Sequence, residues 1–256
     1  MELYAGLDLH SRNTCIGIMD KTLNRVFKKR VPNELDQIIE TLTPFHDQLK
    51  GFVVESTFNW YWLVDGLMDA GYGDAHLANP AAIKQYEGLK YSDDQHDAFF
   101  LAKLLILDIL PEGYIYPKEH RSVRDLARKR MFLVQHKTAN ILSLKSLLQR
   151  SCSIKLIAND IRKLTIEDLE EWLKEEYLIL TAQASLDTIT FLKEKIKGLE
   201  KSIIKRVKLR QGFRQLLTIP GIGNILAMTI MLEVGNIDRF PKVGNFVSYC
   251  RCVPSL

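Results

Sequence analysis

Near the N-terminus, Leu3-Tyr4-Ala5-Gly6-Leu7-Asp8-Leu9 is a short apolar run that contains one carboxylate. Such a run, followed by a polar segment from His10 to Asn13, is typical of a buried strand. Residues 14–19 and 26–31 show two further strand patterns, which the polar turn at residues 20–24 joins. The sequence therefore predicts an antiparallel meander of three strands.

Helix and strand signals then alternate up to residue 110. Asn33 follows Pro32 and is predicted to be the N-cap of a helix whose apolar face includes Ile38 and Leu42. Gly51 to Glu55 is a second buried strand pattern that ends on a carboxylate. The remaining predictions for this part are a helix over 60–70, a strand over 75–78, a helix that opens at Pro80 and a helix from Asp94 to Leu110.

The second half of the chain predicts long helices. Residues 121–149 contain neither Gly nor Pro and are rich in Arg and Lys. A second long helix is predicted between Leu186 and Leu209, and the acidic stretch at 167–176 is another helix or a loop. Between Ile189 and Ile203 apolar residues repeat at steps of three and four, as in a coiled-coil seam. Either the two long helices pair with each other, or the seam recruits a second subunit.

Composition limits the class of protein. The 256 residues are 46% hydrophobic and 26% charged, which is ordinary for a globular protein. The sequence contains no run of 18 apolar residues, so it predicts no membrane-spanning helix. The N-terminus lacks the layout of a signal peptide. The four scattered cysteines indicate free thiols in a reducing compartment, so we expect a cytoplasmic protein.

The charge distribution is uneven. Residues 1–118 hold 11 Lys/Arg and 17 Asp/Glu, whereas residues 119–163 hold 11 Lys/Arg and only 3 Asp/Glu. An acidic head followed by a basic arm fits a protein that binds cations with one part and a polyanion with another. A solvated basic helix explains the arm equally well.

Two carboxylates at strand ends suggest a metal site. Asp8 and Glu55 both lie where a predicted strand leaves the core, and an ionised carboxylate is costly to bury alone. Asp94 and Asp97 are three residues apart at a predicted helix start, so they share one face. If the four converged, Mg²⁺ or Mn²⁺ would offset their repulsion and would suit phosphodiester chemistry. Taken singly, each acid could be a turn or capping residue.

These segments together resemble a known family. The segments are Gly6-Leu7-Asp8, Val53-Val54-Glu55-Ser56-Thr57 and Ser92-Asp93-Asp94-Gln95-His96-Asp97-Ala98, followed by Pro220-Gly221-Ile222-Gly223. They are similar to the DEDD transposases of an insertion-sequence family that includes the pilin-gene invertases. The family's third motif has Lys-Thr where this chain has Ser92-Asp93.

The resemblance implies a fold and a division of the chain. It implies an α/β RNase H-like, RuvC-like catalytic domain over residues 1–117 that carries the DEDD carboxylates. An all-α coiled-coil arm over 118–212 and a partial helix-hairpin-helix-like C-terminal domain over 213–256 would follow.

The resemblance also implies chemistry and partners. The family's DEDD site is thought to bind Mg²⁺ and to act with a serine nucleophile on DNA, under guidance from a bridge RNA, in an oligomer such as a dimer or tetramer. The seam would serve oligomerisation. The predicted nucleic-acid contacts are Arg121, Arg124, Arg128, Lys129, Arg130, Lys137, Gly221 and Gly223.

The C-terminal end departs from the family pattern. The family's serine is expected a few residues after a proline that Pro254 resembles, and the sequence ends at Leu256. Ser248 precedes that proline and Ser255 follows it too closely, so neither is assigned the role. We therefore expect a C-terminally truncated member.

Three other readings stay open on the sequence. A sugar-kinase or actin-like ATPase shares a first phosphate loop like Gly6 to Ser11, although no second glycine-rich loop is present. A junction-resolving nuclease would use the same four carboxylates with water as the nucleophile. A non-catalytic nucleic-acid scaffold would need none of them.

Overall fold

The computed structural model describes residues 1–57, 59–83, 94–161, 163–208 and 210–252, without the side chains of residues 94–96 and 158. The chain forms two compact units, Met1–Tyr116 and Pro117–Leu256. Within the second unit, Phe213, Ala227, Met228 and Leu232 share a core with Ala127 and Ile203, while the predicted boundaries at residues 117 and 212 stay predictions. None of the described helices has the length and apolar character required to cross a bilayer.

The first unit is built on a five-stranded sheet. Its strands are β1 (Leu3–Leu9), β2 (Asn13–Asp20), β3 (Arg25–Pro32), β4 (Leu49–Glu55) and β5 (Asp74–Ala78). The order is β3-β2-β1-β4-β5, with the first three strands antiparallel and β1, β4 and β5 parallel. The predicted meander is thereby confirmed. This order, with β2 opposed to the other four strands, is the arrangement of an RNase H-like fold.

Helices cover both faces of this sheet. They are α1 (Leu35–Leu42), a 3₁₀ segment (Thr43–Gln48), α2 (Tyr61–Asp69), α3 (Pro80–Ile83) and α4 (Asp94–Ile106). One face of the sheet packs against α1 and α2 in the main core, where Trp60 is buried and Trp62 is partly buried. Both tryptophans therefore pack over the sheet. The opposite face packs against α4.

The predicted N-cap of α1 is wrong. The cap position is Glu34, which makes no side-chain cap hydrogen bond. Asn33 instead accepts a hydrogen bond from Thr14 Oγ1 at 2.7 Å and donates to the His10 carbonyl at 2.8 Å. Two hydrogen bonds across the meander contribute more to stability than the single hydrogen bond of an exposed helix cap.

The second unit is helical over nearly its whole described length. Its elements are α5 (Lys118–Cys152), α6 (Ala158–Ile161), α7 (Ile166–Trp172), α8 (Glu176–Val207), α9 (Gln211–Leu216), α10 (Asn224–Val234), a 3₁₀ turn (Ile237–Arg239) and α11 (Val243–Tyr249). The two long helices were predicted, but α8 starts ten residues earlier than expected. The predicted turn at residues 220–223 lies between α9 and α10, as expected.

The two long helices pair with each other in antiparallel fashion. Leu144 and Leu148 of α5 share a core with Ile189 of α8, while Ala127 near the other end of α5 packs with Ile203. The seam residues Ile189, Leu192, Ile196 and Ile203 are all buried. Of the two alternatives for the seam, the structure shows pairing within the chain. Oligomerisation stays a prediction that needs another surface.

Candidate functional site

Asp8 is a buried carboxylate in the middle of the sheet. It lies near the carboxyl end of β1, opposite Cys15 of β2, and is 4% exposed. The Nε2 atom of His10 lies 3.1 Å from Asp8 Oδ2. Burial of a carboxylate costs free energy, and contacts with apolar neighbours do not offset that cost. We therefore infer that Asp8 has a role beyond packing.

Glu55 lies beside Asp8 on the neighbouring parallel strand. Leu7 of β1 is in register with Val54 of β4, so Asp8 and Glu55 are the next residues along the two strands. Adjacent strands lie about 4.8 Å apart, and in-register neighbours point to the same face. The structure therefore brings these two predicted site residues to one edge of the sheet.

Helix α4 packs directly against the backbone of the sheet. A Cβ added at Gly6 would lie 1.8 Å from the Ala98 carbonyl oxygen, and one at Gly17 would lie 2.9 Å from the Phe99 ring. We call the side of the sheet that carries Gly6 and Gly17 the α4 face. Asp8 is two residues after Gly6, so it belongs to the α4 face as well.

The start of α4, which carries Asp97, is directed toward Asp8. The later residues of α4 pack on Met19, which pairs with Tyr4 at the far end of β1. The N-terminal end of α4 must therefore lie toward the carboxyl end of β1. Oδ1 of Asp97 is shielded from solvent. Three predicted carboxylates, Asp8, Glu55 and Asp97, thus lie toward one end of the sheet.

The donor chemistry suits a hard divalent cation. Mg²⁺ and Mn²⁺ take oxygen ligands, and carboxylates are the anionic oxygen donors that proteins offer. Among the side chains that the structure describes, no three His, Cys, Asp or Glu groups are close enough together to hold a metal ion. Asp94 begins α4, but its side chain lies outside the described residues. The four-carboxylate set therefore stays a prediction.

The loop after Asp8 is held by side chains from other elements. Its His10 carbonyl accepts hydrogen bonds from Asn33 Nδ2 at 2.8 Å and from Asn59 Nδ2 at 3.4 Å. The His10 amide donates to the Asn13 carbonyl at 3.0 Å. These contacts fix the chain between β1 and β2 and hold the His10 ring beside Asp8. Sequence reasoning missed His10, although a histidine two residues after a strand carboxylate was the available signal.

The predicted nucleic-acid contacts in α5 make ion pairs within the second unit. Arg128 donates to Glu233 of α10 through Nε at 2.7 Å and through a terminal nitrogen at 2.8 Å. A terminal nitrogen of Arg124 lies 3.1 Å from the same carboxylate. Arg130 pairs with Glu200 of α8 at 2.6 Å. These arginines link α5 to α10 and α8, and a phosphate would have to compete with the carboxylates for them.

Burial opposes ionisation of Glu233, but the arginines outweigh it. The hydrogen bond from Arg128 and the charge of Arg124 hold the pKa of Glu233 below its ordinary value. The remaining predicted contacts in α5 differ in exposure: Arg121 is 5% exposed, Lys137 is half-buried and Lys129 is exposed. Lys129 Nζ also lies 4.6 Å from the centre of the Phe132 ring. Their assignment to nucleic acid stays a prediction.

The glycine turn before α10 has the geometry that its sequence requires. Gly221 has φ +88°, which L side chains rarely adopt, and Gly223 is the N-cap residue of α10. A Cβ at either position would meet no atom within 4 Å. The turn is therefore open on its outer side, as contact with a phosphate would need, and the two glycines stay predicted contacts.

Comparisons with known proteins give the chain's family. A family model for DEDD transposases of the IS110 group, described as "Transposase", matches residues 5–153. A second model, "Transposase IS116/IS110/IS902 family", matches residues 213–256. A solved structure, T. thermophilus RuvC in complex with a Holliday junction substrate, is 14% identical, with a TM-score of 0.36. It covers 44% of this chain and 100% of that chain. No curated protein matches.

Proposed function

Because the chain belongs to the IS110 transposase family, we propose that it recombines DNA at a site formed by Asp8, Glu55, Asp94 and Asp97. The observation that supports this proposal best is the meeting of Asp8 and Glu55 at one edge of the sheet, with the start of α4 directed toward them. Carboxylates at this position agree better with a DNA-modifying enzyme than with the sugar-kinase or actin-like ATPase alternative.

We propose that these four carboxylates hold Mg²⁺ or Mn²⁺. Such an ion, when bound, polarises a phosphodiester and lowers the cost of charge on the attacking and leaving oxygens. The chain's own residues set the geometry. Asp8 and Glu55 are fixed by strand register, and Asp97 is fixed by the seating of α4 on Gly6.

His10 positions Asp8 in this proposal. Its ring lies within contact distance of Asp8 Oδ2, and two asparagine side chains hold its backbone. A second group that orients an ionic ligand commonly raises the metal affinity of a site. Loss of His10 would therefore weaken metal binding without removing any of the four carboxylates.

The finer parts of the proposal rest on the family resemblance. We propose that strand transfer uses a serine outside the carboxylate site, that a bridge RNA selects the target DNA and that the active form is an oligomer. The Lys and Arg residues predicted in α5 and the turn at Gly221 and Gly223 are the proposed nucleic-acid contacts in the second unit.

The test is a calorimetric titration of Mg²⁺ and Mn²⁺ into the wild type, Asp8→Asn and Asp97→Asn, with a DNA duplex present. Asp47→Asn is the matched control, because its side chain is fully exposed in a distant segment. We expect the wild type and the control to bind and both site variants to lose binding. A wild type that binds neither ion would contradict the proposed site.

A further inference from the structure

Strand β3 carries a dense group of cations in an otherwise acidic region. Residues 25–30, Arg-Val-Phe-Lys-Lys-Arg, contain four of the eleven Lys and Arg residues of residues 1–118, where acidic residues are in excess. All four of these side chains are exposed.

The register of the sheet places three of the four cations on the α4 face. Arg30 pairs with Cys15, Lys28 pairs with Gly17 and Arg25 pairs with Met19. The guanidinium carbon of Arg25 lies 4.6 Å from the centre of the Phe99 ring of α4, which agrees with this placement. Lys29 alternates to the opposite face, beside the partly buried Phe27.

A single row across the sheet connects these cations to the carboxylates. Arg30 pairs with Cys15, and Cys15 pairs with Asp8. Arg30 Nε donates to Cys15 Sγ at 3.2 Å, which inclines the guanidinium along the row. Glu55 follows on the far side of Asp8. With strands about 4.8 Å apart, Arg30 lies roughly 10 Å from Asp8, within reach of neighbouring phosphates on one strand.

The position of β3 leaves this row open to a large ligand. It is the edge strand of the sheet, so a polyanion can approach from beyond it. Lysines on edge strands also discourage pairing with other chains. A lysine can prevent such pairing from either face of the strand, and Lys29 alone would be enough. Prevention of pairing therefore does not explain why three cations lie on the α4 face, where the carboxylates are.

We infer that Arg25, Lys28 and Arg30 form a binding surface on β3 for the phosphodiester backbone of the DNA strand that enters the carboxylate site. This inference rests on the proposed function and deepens it. It also assigns a DNA contact to the first unit, whereas the sequence had placed the basic contacts in α5.

The test measures DNA binding by fluorescence anisotropy of a labelled duplex over a range of salt concentrations, with the full chain. The variant is Lys28→Gln/Arg30→Gln. The control is Lys29→Gln/Lys50→Gln, which removes the same charge from two exposed lysines outside the proposed surface. Loss of two phosphate contacts should reduce the slope of log affinity against log salt by about 1.8. The control should keep the wild-type slope.

Two further arms make the result decisive. Lys28→Arg/Arg30→Lys keeps both charges and should restore the wild-type slope, which separates loss of contacts from misfolding. An unchanged slope in Lys28→Gln/Arg30→Gln, with normal DNA binding by the wild type, would overturn the inference and leave the proposed function standing. A reduced slope for a matched RNA duplex but not for DNA would overturn the assignment to DNA. A wild type that binds no DNA would contradict both.

Discussion

The carboxylates of the two units have different neighbours. In the first unit Asp8 and Glu55 are like charges on adjacent strands, next to a sheet core. In the second unit Glu233 lies between Arg124 and Arg128, which neutralise it through hydrogen bonds. Like charges held together lower the stability of the free protein, whereas the matched cluster stabilises it.

This difference separates a site from a structural contact. Neighbouring carboxylates at strand ends, one of them buried, are typical of functional sites, which supports the proposed metal site. Arg124, Arg128 and Arg130 of α5 already have carboxylate partners, so the number of basic residues in the sequence overstates the charge that is available to nucleic acid.

The largest effect is expected from Gly6→Ala. The added Cβ would lie 1.8 Å from the backbone oxygen of Ala98, so α4 would have to shift away from the sheet. We expect the free energy of unfolding to fall by about 3 kcal/mol, the upper range for overpacked cores, and metal binding to weaken. Urea denaturation and calorimetry would measure the two effects.

Gly198→Ala is the control for this substitution. Gly198 lies within α8, and a Cβ there would meet no atom within 4 Å. Alanine favours an exposed helix position over glycine by about 1 kcal/mol, so this variant should be more stable than the wild type. A loss of stability in both variants would show that the contact between Gly6 and Ala98 is not the cause.

An intermediate effect is expected from Glu233→Gln. The substitution leaves Arg124 and Arg128 without their anion and should lower the free energy of unfolding by about 2 kcal/mol. Chemical denaturation at pH 7 measures it, with Asp47→Asn as an exposed control. A change below about 0.5 kcal/mol would mean that the cluster contributes as little as an ordinary surface ion pair.

The same variant predicts a pH dependence. The pKa of Glu233 is lowered in the folded chain, so its contribution to stability is present above the ordinary pKa of a glutamate. The contribution is lost as the pH falls through the lowered value. The difference in stability between the wild type and Glu233→Gln should therefore shrink as the pH is lowered from 7 to 3.

The smallest effect, and the opposite sign, is expected from Asp8→Asn. Removal of the buried Asp8 charge beside Glu55 should outweigh the loss of its contact with His10 and raise the free energy of unfolding by about 1 kcal/mol in the presence of a chelator. Metal binding should be lost in the same variant. Thermal denaturation with and without Mg²⁺ measures both, and a destabilised variant would mean that Asp8 is a structural residue.

Much of the first unit could be predicted from the sequence. The strand patterns and the carboxylates at their ends, Asp8 and Glu55, are local signals in the sequence. The two carboxylates lie side by side because β1 and β4 are adjacent parallel strands. The start of α4 at Asp94 agrees with the predicted helix. Asn33 was misplaced because its partners, Thr14 and His10, lie about twenty residues away, and a local capping rule does not detect them.

The second unit shows what a local pattern misses. Arg124 and Arg128 owe their environment to Glu233, more than a hundred residues further along the chain. A run of basic residues gives no indication of such a distant partner. The start of α8 was missed for another reason, because the acidic stretch before it divides between α7 and the first turn of α8.

The seating of α4 on Gly6 has a consequence for synthesis on the ribosome. Asp8 emerges early, but α4, the helix that packs on its face of the sheet, is complete only at Ile106, nearly a hundred residues later. A nascent chain that stops before this helix can form the meander without closing the face that carries Asp8. The site is thus assembled late in translation, and short N-terminal fragments should lack it.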